Sequence, residues 1–107
     1  MEERIHKLLY FLHESPNDTF LLFALAKEYD ILHKDEEAER YYKRLMEIDE
    51  QYVGLYFHLG KFYEKLERLE EALEIYKKGI AMAQKLSEHH ALSELMSAKT
   101  NLEMEMI

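Results

Sequence analysis

The sequence predicts an all-helical chain built from antiparallel helix pairs, and three observations carry that prediction. Only three glycines and one proline occur in 107 residues, too few for hairpins or barrels, which need turn residues about every eight to twelve positions. Apolar residues recur at three- and four-residue spacing, the period of one helix face. The chain also repeats itself after 34 residues without a gap.

The repeat pairs Leu21 with Leu55, Phe23 with Phe57, Leu25 with Leu59, Lys27 with Lys61, Tyr29 with Tyr63 and Leu32 with Leu66. It continues with Glu36 and Glu70, Glu37 and Glu71, Ala38 and Ala72, Tyr42 and Tyr76, and Lys43 and Lys77. These are eleven identities in one 34-residue span, where unrelated segments of average composition share about two or three.

Each copy reads as two helices. From Asp18 to Leu32 the positions Leu21, Leu22, Leu25, Ala26, Tyr29 and Leu32 form one face, with Asp18 as the N-cap. A second helix runs from about Asp35 to Ile48, with Ala38, Tyr41, Tyr42, Leu45 and Ile48 inward. Its acidic start and its later Lys43 and Arg44 suit the helix dipole. Residues 52–84 repeat both helices. The links at His33-Lys34, Asp49 to Gln51 and Glu67-Arg68 span two or three residues, so successive helices run antiparallel and in contact.

With this pattern laid out, the chain resembles the tetratricopeptide repeat family, whose signature is W-x2-L-G-x2-Y, then A-x3-F, then P. The first copy offers Leu22-x2-Leu25-Ala26-x2-Tyr29 and Ala38-x3-Tyr42, and the second Tyr56-x2-Leu59-Gly60-x2-Tyr63 and Ala72-x3-Tyr76. The small residues Ala26, Gly60, Ala38 and Ala72 fall where two helix backbones approach closely. Tryptophan is absent from the opening slot of both copies, Ala26 replaces the usual glycine, and neither full copy is followed by the inter-repeat proline. The resemblance implies a right-handed α-α superhelix of about six helices, with two full repeats and flanking capping helices.

The same frame accounts for the flanks. Pro16 falls 34 residues before Glu50, so 2–14 is the second helix of an incomplete earlier repeat. Arg4 stands there in the slot of Ala38 and Ala72, where a small residue is demanded only if a helix precedes it. Beyond Ser87, read as an N-cap, Ala91, Leu95, Ala98 and Leu102 mark a capping helix over 87–104. The expected organisation is one domain over 1–107, with repeats at 18–50 and 52–85.

The resemblance implies a non-catalytic protein-protein interaction module, an adaptor or scaffold, whose first helices line a concave groove for a peptide or a partner helix. The face left after assigning the core carries Phe20, Phe23, Lys27, Asp30 and Ile31, then Phe57, Lys61, Glu64 and Lys65. The groove candidates are Phe20, Phe23, Lys27, Ile31, Phe57, Lys61 and Lys65. Phe23 and Lys27 are four apart, as are Phe57 and Lys61, placing aromatic and ammonium about a turn apart. That pairing suits a partner with apolar side chains and a carboxylate; partial burial of the rings and solubilising lysines is the blander alternative. Some family members clamp the carboxylate terminus of chaperones with lysines, asparagines and an arginine. The corresponding positions here hold Phe23, Ala24, His58 and Leu92, so that role is not expected.

Other classes fit poorly. Lys plus Arg is 14 against 22 for Asp plus Glu, a net charge of -8, the wrong sign for binding phosphate backbones. The absence of cysteine removes disulfides, zinc-thiolate sites and thiol nucleophiles. No apolar run approaches the ~20 residues of a membrane span, and Met1-Glu2-Glu3-Arg4 does not open like a secretory signal, so the expected location is cytoplasmic. Ser15, Ser87, Ser93 and Ser97 sit at helix ends or on the last helix, with no nucleophile elbow, Gly-rich phosphate loop or H-E-x-x-H motif. His90 and Glu94 have ligand spacing, but a metal site wants three or four ligands. His6 and His13 lie roughly 10 Å apart along a helix. No enzyme activity, cofactor or metal is expected.

The second reading is self-association as a homodimer. Ile5, Leu8, Leu9, Tyr10, Phe11 and Leu12 make an apolar arc wider than one neighbour covers, and Met104, Met106 and Ile107 add to it. The alternative is that Tyr10 and Phe11 wrap onto the following helix pair.

Overall fold

A computed structural model describes residues 2–107 and contains six helices: α1 (Glu2–Glu14), α2 (Thr19–Ile31), α3 (Asp35–Ile48), α4 (Gly54–Lys65), α5 (Leu69–Lys85) and α6 (His89–Glu105). No strand occurs among the described residues. The chain divides into two compact units, one ending at Glu50 and one beginning at Gln51.

In the first unit α2 packs along α3, and α1 packs on α2. Asp18 starts α2 from an extended conformation, and its carboxylate accepts the Leu21 N–H at 3.1 Å, satisfying one of the donors a helix start leaves open. The core joins Ile5, Leu8 and Leu12 of α1, Leu22, Leu25 and Ala26 of α2, and Ala38, Tyr41, Tyr42 and Leu45 of α3. Each such leucine or isoleucine contributes ~1.5–3 kcal/mol by leaving water. Ala26 and Ala38 are fully buried, as close helix approach requires. Arg44 donates to the Pro16 carbonyl at 2.7 Å, tying α3 to the chain entering α2.

The second unit repeats this hairpin as α4 and α5 and adds α6, which packs on α5 and also touches α4. Gly60 fills the Ala26 slot, and a Cβ there would overlap the Tyr76 ring. Gly79 has the same role elsewhere: an added Cβ would come within 2.5 Å of Tyr56 Cβ and 3.0 Å of Leu95 Cδ1. Leu95, Ala98 and Leu102 are the buried face of α6, and Ala91 is partly covered.

Three helices end in the same way. His33, Glu67 and Ser87 have φ of 59°, 61° and 57°, the left-handed conformation that usually calls for glycine. The next N–H reaches back at 2.9 Å in each case, Lys34 to the Tyr29 carbonyl, Arg68 to that of Tyr63 and Glu88 to that of Ala83. This hydrogen bond closes the helix end and reverses the chain.

Three sequence expectations change. Ser87 is not the N-cap of α6: it terminates α5, and Glu88 holds the cap position without a side-chain hydrogen bond. Ile48, expected inward, ends α3 exposed, because the helix stops there and its last turn passes beyond the covered face. Tyr10 and Phe11 do not wrap onto the following helices: they remain 64% and 54% exposed, edge-to-face with ring centroids 5.5 Å apart.

Arg4 keeps its long side chain in a slot that is alanine in both later copies because it points outward, 61% exposed, and pairs with Glu28 at 2.8 Å. One Glu28 oxygen, Oε2, is buried without a hydrogen-bond partner.

Candidate functional site

The first helix of each copy presents the same aromatic and ammonium pair. On α2 the Lys27 ammonium lies 5.4 Å from the centre of the Phe23 ring, and on α4 Lys61 lies 5.6 Å from that of Phe57. Four-residue spacing puts each pair on one face, and the ring's negative face draws the cation over it. Each lysine head thus lies over its ring, with Lys27 half-buried and Lys61 exposed.

In the first unit a recess of ≈ 270 Å³ gathers Phe20, Phe23, Lys27 and Ile31 with Arg4, Ala24 and Glu28. Four of the sequence candidates therefore meet in one place. Phe20 and Ile31 are 65% and 57% exposed, an apolar rim without cover within its own unit. Against the chain's net charge of -8, Arg4 and Lys27 outnumber Glu28 here. An apolar side chain bearing an acidic group matches that surface.

The second unit has a recess of ≈ 340 Å³ in which Phe57 and Lys61 of α4 face His90, Ser93, Glu94, Ser97, Ala98 and Asn101 of α6. Lys61 also lies 3.9 Å from Glu64, whose carboxylate accepts the Tyr76 hydroxyl. Lys65 does not line this recess; its ammonium sits 5.9 Å from the centre of the Phe62 ring. The polar face of α6 was missed as a wall in the sequence, where only the buried stripe of that helix stood out. The remaining clue was the four-residue spacing of Ser93, Ser97 and Asn101.

Behind α2 and α4 lies a polar clasp. Tyr42 donates to Asp30 at 3.1 Å, and Tyr76 donates to Glu64, its equivalent 34 residues on. Burial, reinforced by the neighbouring carboxylate and the hydrogen bond to it, pushes both phenols far above the ordinary tyrosine range. Tyr29 is also raised, chiefly by burial and then by its neighbour Tyr41.

His90 Nε2 and Glu94 Oε1 are 3.7 Å apart and well exposed, and no group of three or more His, Asp or Glu side chains is placed to hold a metal ion among the described residues. Nor is any helix among them long and apolar enough to cross a membrane.

The model of the tetratricopeptide repeat family matches residues 36–95, more than half of the chain. The chain belongs to the tetratricopeptide repeat family. A tetratricopeptide repeat domain protein from Salinibacter ruber, solved in solution, is 40% identical over 82% of this chain and 89% of its own, with a TM-score of 0.78. A crystal structure of a tetratricopeptide repeat domain protein from the same organism gives 40% identity over 80% and 97%, with a TM-score of 0.75. A Bordetella parapertussis protein shares the fold at 22% identity, covering 94% of this chain and 88% of its own with a TM-score of 0.82. No curated protein matches the chain in sequence. Tetratricopeptide repeats generally serve as non-catalytic protein-interaction modules.

Proposed function

We propose that residues 1–107 act as one adaptor module that captures a partner polypeptide carrying apolar side chains and carboxylates. Phe20, Phe23, Lys27 and Ile31 receive it in the first unit, and Phe57 and Lys61 in the second. The observation that carries this reading is the duplicated cation over an aromatic ring, 5.4 Å and 5.6 Å from the centroids, each at the edge of a recess. A core needs neither lysine, whereas a ligand carboxylate gains a charge-assisted hydrogen bond from each. The test is fluorescence anisotropy with a capped, labelled octapeptide of alternating glutamate and leucine. Lys27→Glu with Lys61→Glu is expected to weaken binding at least tenfold with little change in melting temperature. Equal binding by the variant, or none by the wild type, refutes the reading.

Self-association is a second reading, favoured by the exposure of Tyr10 and Phe11 on α1 and of Met96 and Met104 on α6. Sedimentation equilibrium across the micromolar range decides it, since a strict monomer excludes a stable dimer.

A further inference from the structure

Four side chains of α1 form a stripe on the side away from its core residues. Lys7, Tyr10, Phe11 and Glu14 stand at i, i+3, i+4 and i+7, one face of a helix, while Ile5, Leu8 and Leu12 occupy the buried side. All four are exposed, and the two rings meet edge to face with centroids 5.5 Å apart. No ion pair joins Lys7 or Glu14 to another described residue.

Along the stripe the order is a cation, two aromatic rings and an anion, and that order decides what can cover it. Turned end for end about a point midway between Tyr10 and Phe11, the stripe becomes its own complement. Lys7 then falls opposite the partner's Glu14, and Tyr10 opposite the partner's Phe11. Each contact occurs twice, as a two-fold interface requires. A parallel arrangement would set lysine on lysine and glutamate on glutamate, which repel. Glu3, a turn before Lys7 on the same face, falls beyond the end of the partner's α1. The rings supply apolar area to bury, and the charges fix the direction. Four side chains per copy make an interface at the small end of specific ones, which suits a reversible, micromolar contact.

We infer that a second copy of this chain covers α1, antiparallel about a two-fold axis at Tyr10 and Phe11, with Lys7 of each copy paired to Glu14 of the other. This rests on the self-association reading above and commits it to α1, not to Met96 and Met104 of α6.

The experiment is sedimentation equilibrium of the full chain from micromolar to submillimolar concentration. The wild type is expected to dimerise with a micromolar dissociation constant. Lys7→Glu and Glu14→Lys each turn two opposite-charge contacts into like-charge ones, and each should weaken the dimer roughly tenfold. They shift the net charge of each copy in opposite directions, so weakening by both cannot come from overall repulsion. The double variant, Lys7→Glu with Glu14→Lys, restores the complementarity and should dimerise as the wild type does. That recovery requires folded protein, and it separates loss of pairing from loss of fold. A dimer unmoved by either single swap, or not restored by the double swap, overturns this pairing while leaving self-association standing. A wild type that stays monomeric throughout refutes self-association, and this inference falls with it.

Discussion

The Tyr42 hydroxyl donates to the Asp30 carboxylate at 3.1 Å between α3 and α2, and Tyr76 with Glu64 repeats the relationship one period later. Each tyrosine ring is fully buried, so the clasp fixes the approach of one helix to the other while its polar end stays satisfied. Because ionisation would leave a phenolate buried, and beside a carboxylate as well, the folded state holds both phenols neutral.

Alkaline titration follows from that clasp. Their folded-state pKa lies above the unfolded value of about 10, so the contribution of the neutral phenols is complete below that pH. It is lost as pH climbs from there towards the folded value, at up to ~1.4 kcal/mol per pH unit for each withheld tyrosine. Of the eight tyrosines, Tyr42 and Tyr76 should ionise only as the chain unfolds. Phenolate absorbance recorded beside circular dichroism checks this, and Tyr42→Phe with Tyr76→Phe should flatten the alkaline fall. Ionisation of all eight before any loss of helix would contradict it.

The helix ends at His33, Glu67 and Ser87 hold side chains in the left-handed region, which costs ~1–2 kcal/mol per residue. Glycine removes that cost but adds ~0.5–1 kcal/mol of unfolded-state entropy. His33→Gly, Glu67→Gly and Ser87→Gly should therefore each stabilise by ~0.5–1 kcal/mol. Denaturant unfolding of each single variant measures the gain. A net loss at all three would show that the turns are not governed by backbone conformation.

Gly79→Ala should act in the opposite direction. Its Cβ would meet Tyr56 Cβ at 2.5 Å, and overpacking of ~1–3 kcal/mol exceeds the ~1 kcal/mol that alanine gains in helix propensity. Gly60→Ala would displace the Tyr76 ring and with it the bond to Glu64. Chemical denaturation should place both variants below the wild type; an increase in stability would contradict the packing described.

Arg4→Ala removes the partner of a carboxylate that already has one unsatisfied oxygen. Arg4 is more than half exposed, so solvent screens the pair and the loss should be only ~1 kcal/mol. It should appear locally, as faster hydrogen exchange in α1 with α3 unchanged. Uniform acceleration across the first unit would instead make Arg4 part of its core stability.

Much of this was legible in the residues because the repeat is gapless. The period placed α1 through α5, Asp18 declared itself as a cap, and four-residue spacing put Lys27 beside Phe23 and Lys61 beside Phe57. What stayed hidden depends on contacts distant in sequence or on competition for one residue. Gly79 looks like an ordinary helix interruption until Tyr56 and Leu95 are packed on either side of it. Ser87 has cap chemistry, but the end of α5 claims it for a left-handed turn before α6 begins. The polar face of α6 gains meaning only once that helix stands across from Phe57 and Lys61. Nor does the apolar arc of α1 reveal beforehand which of its residues find no cover.

The most direct measurement is a ¹H–¹⁵N correlation spectrum of the chain titrated with unlabelled glutamate-leucine octapeptide. Partner capture through the first helices predicts that the largest shifts fall on the Phe20–Ile31 face of α2 and around Phe57, Lys61 and the Ser93–Asn101 face of α6. An unchanged spectrum, or shifts gathered on α3 and the outer face of α5, would contradict it.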